Sequence, residues 1–193
     1  MSKESILNAI KKNKPELVSL PEIDLGVFNE DIDLFETFVS NVHFVGGSTV
    51  QLDNSENLDE EIIKRYPNAK NIVSCSAKSQ LATVSISKET KPHSLESIDL
   101  AIIDAQFGVA ENGAVWISET DFPLRVLPFI TNHLVLILSK KDICLHMHEA
   151  YNMISERDRT FGLFISGPSK TADIEQCLVI GAHGAVSLTV FVV

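Results

Sequence analysis

The residues of this chain that can do chemistry fall in a few short blocks. The first is Ser166 to Gly184, SGPSKTADIEQCLVIGAHG. An apolar run, Phe161 to Ile165, leads into it, and Gly167-Pro168 ends that run, because proline lacks an N–H and glycine permits backbone angles that other residues avoid. Thr171 is an N-cap type, and Asp173 and Glu175 then occupy a first turn, where negative charge suits the helix dipole. The pattern predicts a helix carrying Ile174 and Leu178 on its buried face and ending at Gly181 or Gly184. Gly167, Ser169 and Thr171 offer backbone N–H groups and hydroxyls at that helix start, a place where an anion binds. Asp173 and Glu175 already compensate the dipole, so simple capping competes with ligand binding. A third option turns Asp173 back into a cleft as an acceptor. The phosphate-loop spacing G-x-x-x-x-G-K-[ST] is absent.

The second block is Phe107 to Ser118, two short strands about Asn112-Gly113, the strongest short hairpin signal. Glu111 beside that turn is the best candidate for a general base or a covalent carboxylate. The competing reading makes it a surface glutamate on a chain reversal. His133, just before an apolar run, can orient a carboxylate or shuttle a proton, or simply end a strand with a hydrogen bond. Arg125 can grip a carboxylate in bidentate fashion or form a surface ion pair. His183 sits between Ala182 and Gly184. His146 and His148 invite a metal with Cys144 and Glu149, but residues two apart on a helix do not face one another, and no metal site is expected. No G-x-S-x-G nucleophile elbow occurs.

The elements that must position these groups follow from periodicity. Ser2 or Ser5 caps a first helix with Ile6, Leu7 and Ile10, and Pro15 follows it. Residues 15 to 30 read as an irregular arm. A helix is expected from about Asp31 to Asn41, a strand from Val42 to Val45, a helix from Glu56 to Tyr66 and a strand from Asn71 to Ser74. Residues 76 to 97 are polar, with Pro92 as a breaker, and read as a lid or variable insert. Ile98 to Ile103 is an apolar run, and Leu134 to Leu138 and Ser187 to Val193 are apolar on both alternating faces, as strands covered on both sides are. Asp142 is expected to cap a helix from Ile143 to Glu156. Alternating helices and strands predict an α/β layered domain with a largely parallel sheet over 31–193, preceded by a helix and arm over 1–30. Open sheets of that kind place their sites at the carboxyl ends of strands.

Composition narrows the partners. Acidic residues outnumber basic ones 26 to 16, for a net charge of −10. With no dense Lys/Arg run, the chain is expected to bind neither nucleic acid nor an anionic membrane. No apolar stretch approaches a membrane span or a signal peptide core. Cys75, Cys144 and Cys177 are far apart and form no C-x-x-C, so buried thiols in a reducing cytoplasm are expected, with no cluster or cofactor held by this chain.

Two of these blocks carry a resemblance. GPSKTADIE followed by G-x-H-G resembles the C-terminal signature of the lactate utilization protein C family, the LUD domain, with Lys170 where arginine is usual and Ala185 where proline is usual. Val109-Ala-Glu-Asn-Gly-Ala114 resembles that family's A-E-T-G-T segment, with Asn112 and Ala114 in place of the two threonines. The resemblance runs from about Asp99 to the C-terminus. It implies a fold like that of ribose-5-phosphate isomerase, glucosamine-6-phosphate deaminase and the CoA transferases, the last of which use a glutamate as nucleophile. It also implies work beside iron–sulfur proteins in oxidising L-lactate to pyruvate, with the partners carrying the electrons. The cleft would be built from Glu111, Asn112, Gly113, Arg125, His133, Gly167, Ser169, Thr171, Asp173 and His183 around a small carboxylate or phosphate. Two other readings stand beside it: a self-sufficient enzyme acting on a sugar phosphate or acyl-CoA, and a purely structural subunit. All of them rest on Glu111 and Asp173 converging on one pocket.

Overall fold

A computed structural model of the chain describes residues 2–19, 21–28, 31–52, 57–155, 160–172 and 178–193. The chain divides into two compact units, Met1–Asp31 and Ile32–Val193. In the first, α1 (Lys3–Lys12) starts where the Ser2 hydroxyl accepts the Ser5 N–H, and Lys11 and Lys12 fill its last turn. No residue of α1 is buried. A single 3-10 turn, Leu25–Phe28, follows Asp24, whose carboxylate accepts the Gly26 N–H.

The second unit begins with α2 (Leu34–Phe44), capped by Asp33, whose Oδ1 accepts the N–H groups of Phe35 and Glu36. The strand expected at 42–45 does not form there. Phe35, Phe38 and Val42 continue one helical stripe, all three buried, so the helix runs on until Gly46 breaks it at a φ of 85°. The strand instead comes after the glycines, as β1 (Ser48–Gln51). Then follow α3 (Leu58–Arg65), β2 (Ile72–Ser74), β3 (Leu100–Asp104), β4 (Phe107–Val109), β5 (Ala114–Ser118), the single turn α4 (Leu127–Ile130) and β6 (His133–Leu138). After them come β7 (Ile143–Cys144), α5 (Met147–Ser155), β8 (Gly162–Ile165), β9 (Lys170–Ala172), β10 (Leu178–Ile180) and β11 (Ser187–Val192).

The central sheet has the order β1-β11-β6-β3-β2, and each of its four pairings is parallel. This is the parallel α/β architecture that the alternation of apolar runs implied. One face takes Leu134, Leu136, Leu138, Val190 and Ile103 against α2 and a second sheet. The other takes Val135, Ile137, Ile102 and Phe191 against Leu58 and Ile62 of α3. Strand geometry alone requires that alternation. The second sheet, β7-β4-β5-β8, pairs β4 with β5 and β5 with β8 in antiparallel fashion. Its outer face packs Phe107, Val109 and Ala114 with Ala150 of α5.

Two further expectations give way. Ile143–Cys144 does not open a helix but pairs with β4, and α5 starts only at Met147. Thr171 does not cap a helix either: Lys170–Ala172 and Leu178–Ile180 pair antiparallel, with Thr171 opposite Val179. Interstrand hydrogen bonding overrides a helical spacing of apolar residues that was only one turn long. Residues 173–177, including Asp173, lie outside the described residues. The polar segment 76–97 has one 3-10 turn, Pro92–Leu95, and is tied down at both ends. The Ile72 carbonyl accepts from Thr83 and Val84, and Leu95 is buried.

Candidate functional site

The carboxylate-bearing turn is built against the end of α2. Asn112 Oδ1 accepts the Ala114 N–H at 3.0 Å, an Asx turn that lets Gly113 take a φ of 64°. Asn41 Nδ2 donates to the Ala110 carbonyl at 2.7 Å and the Glu111 carbonyl at 3.2 Å. A Cβ on Gly113 would stand 2.6 Å from the Val42 nitrogen, so only glycine fits. The Glu111 side chain reaches α5, where Oε2 accepts the Met147 N–H at 2.9 Å. It thereby satisfies one of the helix's free donors and meets the positive end of its dipole.

The hydroxyl-rich bend comes to this same turn. Ser166 Oγ donates to the Asn112 carbonyl at 2.9 Å. Gly167, at a φ of 74°, lies so close to α2 that a Cβ would be 2.4 Å from the Val45 carbonyl oxygen. Ser169 donates its N–H to the Ala185 carbonyl and accepts from Gly181, and its Cβ rests against Gly184. Thus Glu111, Asn112, Gly113, Gly167 and Ser169 gather about the C-terminal end of α2. Thr171 lies two residues on in β9, and His183 is exposed on the Gly181–Gly184 bend.

Arg125 and His133 are elsewhere. Arg125 pairs with Glu119, Nη2 to Oε2 at 2.7 Å, and its guanidinium lies over the Phe161 ring at 4.9 Å. Glu119 also accepts the Phe161 N–H, and these contacts hold its carboxyl below the usual glutamate range. Glu119 follows β5, whose five residues separate it from the Glu111 turn by roughly 15 Å. His133 shares the β6 face of Val135 and Ile137, toward α3, whereas the Glu111 turn packs on α2 on the other side of the sheet.

A concavity lies beyond the carboxyl end of β2, the side on which sheets of this class place ligands. It encloses about 750 Å³ and is lined by Ser74, Cys75, Lys88, Thr120, Asp121 and Phe122 among others. Behind it Asp104 Oδ1 accepts from Ser76 Oγ at 3.0 Å and from Lys78 Nζ at 3.3 Å. Gln106 Nε2 reaches Ser118 Oγ at 2.8 Å and Asp121 Oδ2 at 2.9 Å. Burial, then the Asp104 charge, pushes the Cys75 thiol up to about 11, so it is no nucleophile at neutral pH. Sequence reasoning missed this cleft because its residues share no motif. The available signal was position: Ser74 and Cys75 directly follow the apolar residues of β2.

Cys144 is likewise pushed up to about 11, by burial and then by Glu149. His146 Nδ1 stands 3.7 Å from Glu149 Oε1. Among the described residues no group of three or more His, Cys, Asp or Glu side chains is placed to hold a metal ion. No described helix is long and apolar enough to cross a membrane.

An open parallel sheet backed by a second, mixed one, with paired glycine turns against the first helix of the body, defines the class. The LUD domain model matches residues 3–193, and the chain belongs to that family. It is similar to proteins named lactate utilization protein C from Anoxybacillus flavithermus, 31% identical over 99 residues, and from Geobacillus kaustophilus, 31% over 104. Each match covers 51% of this chain and spans less than half of the relative, 45% and 43% respectively. A crystal structure of a DUF162 family protein from Deinococcus radiodurans has the same fold, with a TM-score of 0.63 at 17% identity over 82% of this chain and 95% of that one.

Proposed function

We propose that this protein is a cytoplasmic, non-redox component of a lactate-utilization system. In that system L-lactate gives up two electrons and two protons to become pyruvate, and iron–sulfur partner proteins carry the electrons. The observation that supports this reading is the likeness, across half the chain, to proteins named lactate utilization protein C. The turn cluster is its candidate site. Asn112, Gly113, Gly167, Ser169, Thr171 and His183 would offer amide, hydroxyl and imidazole donors to a small carboxylate or phosphate, with Asp173 as an acceptor and Glu111 as an acid–base group. Arg125 and His133 would act from outside that cluster.

The test is genetic and biochemical together. Deleting the gene should stop growth on lactate as carbon source, and the tagged protein should bring iron–sulfur proteins with it from its source cells. Unimpaired lactate consumption in the deletion strain would remove this reading. A second reading, a structural subunit, draws on the use of the Glu111 carboxylate as a cap for α5. It predicts that Glu111→Gln, which keeps an acceptor oxygen, restores growth fully. A catalytic Glu111 predicts that it does not.

A further inference from the structure

In the first unit no residue of α1 is buried, and Ile6, Leu7 and Ile10 stand exposed on one side of the helix. α1 is ten residues long. Isolated helices shorter than about 12–15 residues are marginal in water, so α1 needs a surface to fold against. Beyond Pro15 the chain goes on presenting large apolar groups: Leu17 is 95% exposed and Val18 85%. Just before them in the chain, Ile6, Ala9, Ile10, Asn13, Lys14 and Pro15 line a groove of about 510 Å³. Single exposed apolar residues are ordinary. An apolar groove and the side chains that could fill one, both within a single arm, mark an interface.

Charge identifies the partner. Residues 1–14 hold four lysines and one glutamate, whereas residues 15–31 hold five acidic side chains and no basic one. The sign changes at Pro15. Residues 32–193 hold 20 acidic against 12 basic side chains. Such a surface suits the lysines but repels the stretch that follows them. The arm of a second copy, running the other way, suits both halves at once. Its acidic half meets the lysines, and its lysines meet the acidic half. Self-complementarity of this kind is what a two-fold interface requires.

We propose that two copies of this chain associate through their N-terminal arms, antiparallel, about a two-fold axis near Pro15. The Leu17–Val18 segment of each copy enters the groove lined by Ile6, Ala9, Ile10 and Pro15 in the other. Lys11, Lys12 and Lys14 of each face Glu16, Glu22 and Asp24 of the other. The apolar groups supply the affinity, and the charges at the rim set the partner and its direction. The inference is independent of the lactate reading.

The test is sedimentation of the full-length protein and of two charge-reversed variants. One carries Lys11→Glu, Lys12→Glu and Lys14→Glu. The other carries Glu16→Lys, Glu22→Lys and Asp24→Lys. All six positions are exposed, so the changes spare packed side chains. The wild type should dimerise, and a wild type that stays monomeric up to about 200 μM overturns the proposal. Each variant alone has arms of one sign and should associate at least about tenfold more weakly than the wild type. An equimolar mixture of the two should recover a 1:1 heterodimer of wild-type strength, because each arm again meets its opposite. A mixture that stays monomeric overturns the proposal. So does a dimer that tolerates both reversals, since its interface then lies elsewhere. If either variant fails to fold, Leu17→Asp decides. At so exposed a position it spares the fold and should leave a monomer, and an undiminished dimer overturns the proposal.

Discussion

At the scale of single residues, two glycines set the geometry of the candidate site by what they lack. Gly113 and Gly167 have positive φ, and each lies where a Cβ would strike the backbone of α2 or the turn after it. Gly113→Ala should therefore cost about 2–3 kcal/mol in denaturant unfolding, combining left-handed strain with an overpacked contact. A loss below about 1 kcal/mol would mean that the turn is free to move off α2. The thiols make a second residue-scale prediction. With both pushed up to about 11, Cys75 and Cys144 are roughly 0.1% thiolate at pH 8. In a Cys177→Ser background, alkylation by iodoacetamide should be slow at pH 8 and accelerate steadily above pH 9. Rapid labelling at pH 7 would show that burial does not govern these thiols.

At the scale of elements, Glu111 ties a turn of the second sheet to the start of α5. Glu111→Ala removes the acceptor for the Met147 N–H and should cost about 1 kcal/mol, with faster hydrogen exchange at Met147, whereas Glu111→Gln should be close to neutral for stability. That separation lets Glu111→Gln report on function without unfolding the protein. The inner strands β6 and β11 of the parallel sheet were legible in the sequence, because Leu134–Leu138 and the run from Ser187 are apolar on both faces and only a covered strand reads so, whereas the edge strand β1 was not. The Asn112-Gly113 hairpin was legible because its turn chemistry is local. The β9–β10 pair was not, since Thr171, Ile174 and Leu178 carry helical spacing and only interstrand pairing decides otherwise. Nor was the site's division. Two residues on opposite faces of one sheet, such as His133 and a turn packed on α2, have no signature in linear spacing. The grouping of Asn112 and Gly113 with Gly167 and Ser169 was legible only through the likeness of both blocks to one family.

At the scale of the whole molecule, acid stability follows from carboxylates that accept backbone N–H groups. Asp99 and Glu119 both have folded-state values held below those of the unfolded chain. Each contributes stability that is fully present above the unfolded value, roughly pH 4, and that is lost as the pH falls through the lower folded value. Thermal melts should therefore drop more steeply between pH 5 and pH 3 for the wild type than for the Asp99→Asn, Glu119→Gln double variant. Parallel slopes would place the acid-labile groups elsewhere. The order β1-β11-β6-β3-β2 has a further consequence. The first strand of the body is joined to the sheet only through β11, Ser48 lying opposite Thr189. During synthesis β6, β3 and β2 can assemble early, but β6 keeps one bare row of amides and carbonyls until β11 emerges from the ribosome. Such a row recruits stray strands. A growing polypeptide of this design spends that interval as a client for chaperones, and a stall just before Ser187 should yield insoluble product rather than a smaller working domain.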